Sequence, residues 1–130
     1  MITGKTTDLL GPCAALLLNA LKELAGIPHS QPVISPAAIE PIQTLKTQYL
    51  GSKNPRLHMD EVLIALSVSA ASDPNAQKAL EQLPNLKGCQ AHTSVMVSDV
   101  DRKLFMKLSI QATFEAKYEN NSVIFPKKGI

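Results

Sequence analysis

The richest chemistry in this chain lies in a short stretch near its middle, residues 50–61, with the sequence LGSKNPRLHMDE. It brings together an ammonium, an amide, a guanidinium, an imidazole and two carboxylates, carried by Lys53, Asn54, Arg56, His58, Asp60 and Glu61. A loop that only reverses direction does not need this mixture, and functional side chains commonly lie on loops held by a rigid element. The stretch runs directly into VLIALSVSAA, an apolar helix candidate. The spacing therefore predicts a site at one end of a buried helix.

Two kinds of chemistry fit these residues. Lys53, Asn54 and Arg56 could bind a carboxylate or phosphate, with arginine as a bidentate donor and lysine as a point charge. His58 could act as a general base if Asp60 or Glu61 orients it, which makes His58 and Asp60 the catalytic candidates. The alternatives are structural: Arg56 pairs with Asp60 or ties neighbouring elements together, and Asp60 caps the next helix while His58 faces solvent.

A second polar segment lies near the start, where Lys5, Thr6 and Asp8 separate a strand stub from a helix. Sheets in α/β proteins offer ligand space at such strand ends, so anion binding there is a hypothesis, with a plain connecting loop as the alternative. Gly4-Lys5-Thr6 resembles the end of a phosphate-binding loop. The first glycine of that motif would precede Met1, and residues 9–12 separate it from the helix, which disfavours the classical loop. We expect the two polar segments to meet at the rim of one sheet.

Helical periodicity dominates the first two thirds of the chain. Gly11-Pro12 opens a helix that ends at Gly26, and Pro32–Ile34 is typical of a short buried strand. A helix is then predicted from about residues 39–41 to Gly51. Its buried stripe is expected at Ile42, Leu45 and Tyr49. The helix after Asp60 is apolar on nearly every face and is predicted to be central and covered on both sides, and Asp73-Pro74 begins a shorter one.

The period changes to two after Gly88, which predicts strands at residues 91–97 and 110–118 with a short helix after Ser98 between them. Val123–Phe125 is expected to be an edge strand or a tail. This alternation indicates an α/β layered domain with a mostly parallel or mixed sheet of about four strands packed by four to five helices. Residues 1–119 form the predicted single domain, and residues 120–130 a tail or edge strand.

Composition excludes several functional classes. The net charge is +2 and only 4% of residues are aromatic, so neither a phosphate-neutralising stripe nor a stacking platform for nucleic acid is present. The apolar runs are too short for a membrane span and no secretory signal is visible. Two cysteines in unlike contexts indicate a reducing cytoplasm. His29, His58 and His92 lack metal-ligand spacing, so no metal site is predicted.

Five stretches carry a family resemblance: TGKTTDLLG, ALLLNALKELAGI, ISPAAIEPIQTLK, YLGSKNPRLHMDEVLIALSVSAA and LEQLPNLKGCQAHTSVMVSDVD. They resemble the C-terminal region of the bacterial domain-of-unknown-function 1846 family, also called uncharacterised protein family 0371, from about Ile2 to Tyr118. The resemblance implies a longer parent protein whose upstream region carries a glycine-rich segment similar to a phosphate-binding loop. It implies no established activity and leaves any cofactor unknown.

Three functional hypotheses follow. The chain could be an accessory module that binds a small anion through Lys5, Thr6, Asp8, Lys53, Asn54, Arg56 and His58. It could instead be part of an enzyme whose site is completed by the upstream region, with His58 or Asp60 as the acid or base. The third hypothesis is a structural domain whose apolar helices dock onto the upstream region of the parent protein or onto a second copy of the chain.

Overall fold

The computed structural model describes residues 2–5, 10–93, 97–114 and 121–125, the last of these as backbone only. The side chains of Thr3, Lys5, Thr93 and Phe114 are also outside the description. The helices are α1 (Pro12–Leu24), α2 (Pro36–Thr44), α3 (Met59–Ala70), α4 (Pro74–Leu80) and α5 (Asp99–Lys107). The strands are β1 (Ile2–Lys5), β2 (Gln90–Thr93), β3 (Gln111–Phe114) and β4 (Asn121–Phe125). A π-helical turn (Leu45–Tyr49) extends α2, and a 3-10 turn (Leu83–Leu86) precedes β2.

The strands pair in the order β1-β4-β2-β3. β2 and β3 are parallel, with His92 opposite Thr113, and α5 connects them as a crossover must. The predicted class is confirmed in this form: a helix-rich domain of mixed helices and strands that contains a parallel pair. β4 runs antiparallel to both β1 and β2 and lies between them, so residues 123–125 are not at an edge.

α1 packs against β1 so closely that a glycine is needed at the contact. A Cβ built on Gly4 would lie 2.5 Å from Leu16 Cα, closer than such atoms approach in proteins. α1 begins at Pro12, and Gly26 follows its end with a φ of +70°, a left-handed conformation that suits glycine. Both predicted ends of this helix are therefore confirmed.

α3 contacts α1, α2, α4 and α5 and supplies much of the core. The largest side chains with essentially no exposure are Leu16, Leu21, Leu57, Met59, Val62, Leu66 and Leu86. α3 is not covered on every side, however, because Ile64 and Val68 are 58% and 60% exposed. The expectation of a helix buried all round was wrong, and an apolar strip of α3 faces outward.

The segment from residue 32 to residue 50 differs most from expectation. Val33 and Ile34 are buried, as predicted, but they are irregular rather than a strand. α2 begins at Pro36, which needs no N–H in the first turn, and continues through Pro41. Pro41 is tolerated inside the helix because it lies on the exposed side, where water can satisfy the carbonyl it leaves unpaired.

The π-helical turn changes which side chains of this segment are buried and which are exposed. Leu45 and Tyr49, predicted to be buried, are 51% and 76% exposed, and Lys46 is buried instead. A π turn adds a residue to the helical repeat and so rotates the following side chains around the axis. Lys46 gains a carboxylate partner and a carbonyl partner in the interior, which compensates for its burial.

In the parts of the chain that the structure describes, no helix combines the length and the apolar character needed to cross a membrane.

Candidate functional site

A cleft of about 260 Å³ lies where three helices begin. Its walls come from the start of α1, from the loop before α3 and from the start of α5: Gly11, Pro12, Cys13, Asn54, Arg56, His58, Val97, Ser98 and Asp101. Gly11, His58 and Ser98 are the N-cap residues of α1, α3 and α5. The N-terminal end of a helix carries partial positive charge, so this arrangement favours negative charge in the cleft.

The loop that supplies Asn54 and Arg56 is ordered by its own hydrogen bonds. Arg56 N–H donates to the Asn54 side-chain oxygen at 3.0 Å, and Asn54 N–H donates to Ser52 Oγ at 3.1 Å. Asn and Ser commonly order tight turns in this way. The following residue, Leu57, is fully buried and its carbonyl accepts from Gly11 N–H at 3.1 Å. That bond fixes the loop beside the start of α1.

Hydrogen bonds from Lys46 and Glu61 also fix the position of this loop. Glu61 Oε1 accepts from Lys46 Nζ at 2.9 Å and from His58 N–H at 2.8 Å. One carboxylate therefore caps the N-terminal end of α3 and pairs with Lys46. Lys46 Nζ also donates to the Arg56 carbonyl at 2.5 Å. The general-base hypothesis requires Asp60 or Glu61 beside the His58 imidazole. Glu61 lies there, with its Oε1 3.4 Å from His58 Nδ1.

Asp101 connects the start of α5 to the start of α3. It is 6% exposed and accepts from Met59 N–H at 2.9 Å, across 42 positions of sequence. Burial raises the pKa of the Asp101 carboxyl, and the Asp60 carboxylate adds to that rise. The bond from Met59 N–H, the charge of His58 and the Ser98 hydroxyl oppose it.

The structure brings three of the predicted site residues together, Asn54, Arg56 and His58, which all line the cleft. Lys53 is exposed and does not line it. Asp60 also lies outside the lining, in the first turn of α3, where a carboxylate is favoured by the helix dipole. Its Oδ1 is buried, and no described group forms a hydrogen bond with it. Because His58 is the N-cap, the alternative in which Asp60 caps the helix was wrong.

Three candidates near the start of the chain are only partly located. Lys5 ends β1 and pairs through its backbone with Asn121, so Gly4 and Lys5 belong to a strand rather than to a loop. Its side chain, and all of Thr6 and Asp8, lie outside the described residues. The chain re-enters the description at Leu10, which pairs with Leu57 beside the cleft. Five peptide bonds connect Lys5 to Leu10, so their Cα atoms lie within about 18 Å of one another.

Sequence reasoning missed Lys46, Ser98 and Asp101 as parts of this site. Ser98 and Asp101 were recognised as a helix start, and this was the available signal, because a cap residue lies at the positive end of a helix. Lys46 gave no signal, since its position in the helical pattern placed it outside. Cys13 is 3% exposed and also contributes to the cleft wall.

His92, another polar side chain considered in the sequence, lies outside the cleft lining. His92 Nδ1 is 2.7 Å from Thr113 Oγ1 in a separate recess over β2 and β3. Among the described residues, no group of three or more His, Cys, Asp or Glu side chains is placed to hold a metal ion.

The family model described as "Domain of unknown function DUF1846, C-terminal" matches residues 1–124 of the chain. The chain belongs to this family. Its DUF1846 C-terminal domain is 58% identical over 123 residues to a UPF0371 protein of Corynebacterium efficiens, which covers 95% of the chain and 25% of that relative. A UPF0371 protein of Corynebacterium diphtheriae shows the same identity and coverage. A UPF0371 protein of Streptococcus thermophilus is 46% identical over 119 residues, 92% of the chain and 24% of the relative.

The DUF1846 C-terminal domain described here therefore spans about a quarter of the length of these relatives. The predicted family is confirmed, and the relatives are bacterial proteins of uncharacterised function.

Proposed function

We propose that this domain is an accessory module of a larger bacterial protein and that it binds a small anion, of the phosphate or carboxylate type, in the cleft between α1, α3 and α5. The observation that carries the proposal is the convergence of Asn54, Arg56 and His58 with the N-terminal end of α1 in one cavity of about 260 Å³. That volume accommodates a phosphate group with several bound waters, each of which occupies about 30 Å³ in the liquid.

The electrostatics of the cleft support a small anion. Arg56 carries a permanent charge and can donate two parallel hydrogen bonds to a carboxylate or phosphate. The partial positive charge at the start of α1 acts in the same direction. Asp101, the one carboxylate among the described lining residues, is buried and accepts from Met59 N–H, and burial disfavours its ionised form.

Thermal unfolding of the 130-residue chain tests the proposal. At a phosphate concentration about ten times its Kd, binding stabilises the chain by about 1.4 kcal/mol, a rise in Tm of about 5 °C. Sulfate and nucleotides are measured in parallel, with sodium chloride at matched ionic strength to remove general screening.

Two variants localise the effect. Arg56→Gln should abolish the Tm shift, because it removes the cation that lines the cleft. Lys53→Gln is the matched control, since it removes one positive charge from the same loop at an exposed position outside the lining. Equal shifts in all three proteins, or no shift in any of them, would overturn the proposal.

A second candidate function is docking. Ile64 and Val68 lie one turn apart on the outer side of α3, and both are more than half exposed. Since the chain corresponds to about a quarter of its relatives' length, we propose that this strip of α3 docks onto the region that precedes the matched segment in those proteins.

Two further expectations are part of the proposal. We infer that the elements form the layered α/β unit expected from the sequence, with about four strands packed by four to five helices, which the pairing of β1, β4, β2 and β3 supports. We also place the domain in the cytoplasm. Two free, buried cysteines fit a reducing compartment.

A further inference from the structure

A second cavity, of about 170 Å³, is lined by residues of α1 and of the segment that follows it, and a buried lysine is part of the lining. Lys22 is in the last turn of α1 and is 7% exposed. The other side chains that line the cavity are apolar: Leu10, Leu18, Pro32, Val33, Ile34 and Ile39. A single cationic group in an apolar cavity is a specific chemical arrangement, and neither the family description nor the anion cleft accounts for it.

The described residues satisfy the Lys22 ammonium only in part. It has three N–H donors, and within the described part of the chain it makes one hydrogen bond, to the His29 carbonyl at 2.7 Å. No described carboxylate pairs with it, and burial lowers the pKa of the amine. Isolating an ammonium from water is costly unless a counter-charge or further hydrogen bonds compensate.

A structural role explains only part of this arrangement. The bond to His29 ties the loop after α1 to the helix, and a cation near a helix C-terminus is favoured by the dipole. A lysine at the surface could make the same contact and remain hydrated. That role does not require the cavity of aliphatic side chains beside it.

We propose that this cavity binds a small apolar monocarboxylate, with the carboxylate on the Lys22 ammonium and the hydrocarbon part against Val33, Ile34 and Ile39. The size fits: an apolar protein cavity of about 150 Å³ holds benzene, so a hydrocarbon group of about six carbon atoms fills this one. The ligand supplies a counter-charge, which none of the described residues provides, and covers apolar surface at the same time. This inference does not depend on the anion cleft.

The experiment is a titration of the ¹⁵N-labelled chain, followed by two-dimensional NMR, with ligands of matched shape and different charge. Hexanoate should give saturable shifts of amides in residues 18–22 and 33–39. Acetate, which lacks the hydrocarbon part, and hexylammonium, which reverses the charge, should each bind at least tenfold more weakly. Binding of hexylammonium as tightly as hexanoate, or hexanoate shifts that never saturate, would overturn the inference on the unmodified chain alone.

Variants assign the charge to one residue. Lys22→Met keeps the length and apolar stem of the side chain and should weaken hexanoate binding at least tenfold. Lys78→Met, at an exposed position of α4, is the matched control and should bind hexanoate unchanged. Arg56→Gln should also leave it unchanged, which distinguishes this cavity from the cleft. Retained hexanoate affinity in Lys22→Met, or its loss in Arg56→Gln, would show that the carboxylate binds elsewhere.

Discussion

Individual side chains in this domain have more than one task, and the carboxylates illustrate it best. Glu61 accepts a hydrogen bond from His58 N–H at the N-terminal end of α3, pairs with the buried Lys46 and lies beside the His58 imidazole. Asp101 joins α5 to α3 through Met59 N–H. The groups proposed to contact a ligand, Arg56 and His58, are thus positioned by neighbours that do not themselves need to touch it.

The buried carboxyl of Asp101 should make stability depend on pH in one direction. Its folded-state pKa is raised above 3.8, so the folded protein holds this proton more tightly than the unfolded chain does. The resulting stabilisation is complete below pH 3.8 and is lost as pH rises through the folded-state pKa. Asp101→Asn keeps an oxygen to accept from Met59 N–H and cannot ionise, so its stability lacks this dependence.

Urea unfolding of both proteins from pH 3 to pH 7 measures the effect. Other groups titrate in the same range, but they are common to both proteins, so the difference isolates residue 101. The free energy of unfolding of the wild type should fall relative to Asp101→Asn as the pH increases from 3.8. A difference that is constant across the range, or that grows in favour of the wild type, would contradict the raised pKa.

Among the helices and strands, the contact between α1 and β1 depends most on one residue. A Cβ at Gly4 would meet the backbone of Leu16, which cannot rotate away as a side-chain end can. Strand and helix must separate to admit it. Overpacking of this kind typically costs about 1–3 kcal/mol.

Gly4→Ala should therefore lower the free energy of unfolding by about 1–3 kcal/mol, measured by urea denaturation. Gly11→Ala is the control, because among the described atoms a Cβ at Gly11 meets only the Leu57 carbonyl at 3.7 Å, an ordinary contact. Its cost should stay below about 1 kcal/mol, the difference between glycine and alanine at an N-cap. Equal stabilities for the two variants would show that β1 does not pack on α1 through Gly4.

Several large apolar side chains are exposed on the described surface of the domain. Ile64 and Val68 on α3 are exposed, as are Leu45, Tyr49 and Leu50 in and after the π-helical turn. Single exposed apolar residues are common, but two on one turn of a central helix are typical of a surface that another segment covers. The relatives, about four times as long as this chain, contain the region proposed to cover it.

Replacing both residues tests this docking surface. Ile64→Lys with Val68→Lys should change the free energy of unfolding of the isolated chain by no more than about 0.5 kcal/mol per site, because neither side chain is buried. The same variant should bind the preceding region of the Corynebacterium efficiens relative at least tenfold more weakly than the unmodified chain, measured by isothermal titration calorimetry. Ser67→Lys, on the exposed side of the same helix, is the control for added charge.

Two outcomes would contradict the docking proposal. One is equal binding of the preceding region by the unmodified chain and the Ile64 and Val68 variant. The other is concentration-dependent association of the chain with itself, in sedimentation velocity, that the double substitution abolishes. That second result would assign the α3 surface to self-association.

The amino-acid sequence by itself determined the elements whose ends depend on nearby residues. α1, α4 and α5 begin where a proline or a serine or aspartate cap predicts, because a cap is satisfied by atoms within a few residues along the chain. It also identified the family and placed Asn54, Arg56 and His58 in one candidate site. These features depend on residues that are close together in the chain, so interactions between sequence neighbours are sufficient to produce them.

Tertiary structure alone decided the features that depend on distant partners. Lys46 faces inward because Glu61 and the Arg56 carbonyl receive it, which overrides the apolar pattern of Leu45 and Tyr49. β4 lies between β1 and β2 because backbone pairing joins residues far apart in the chain. Asp101 also depends on a distant partner, since its carboxylate accepts a hydrogen bond from the N–H of Met59, 42 positions away in the sequence. Periodicity records which faces of an element are apolar, but burial and pairing are settled only when all the elements compete for the same interior.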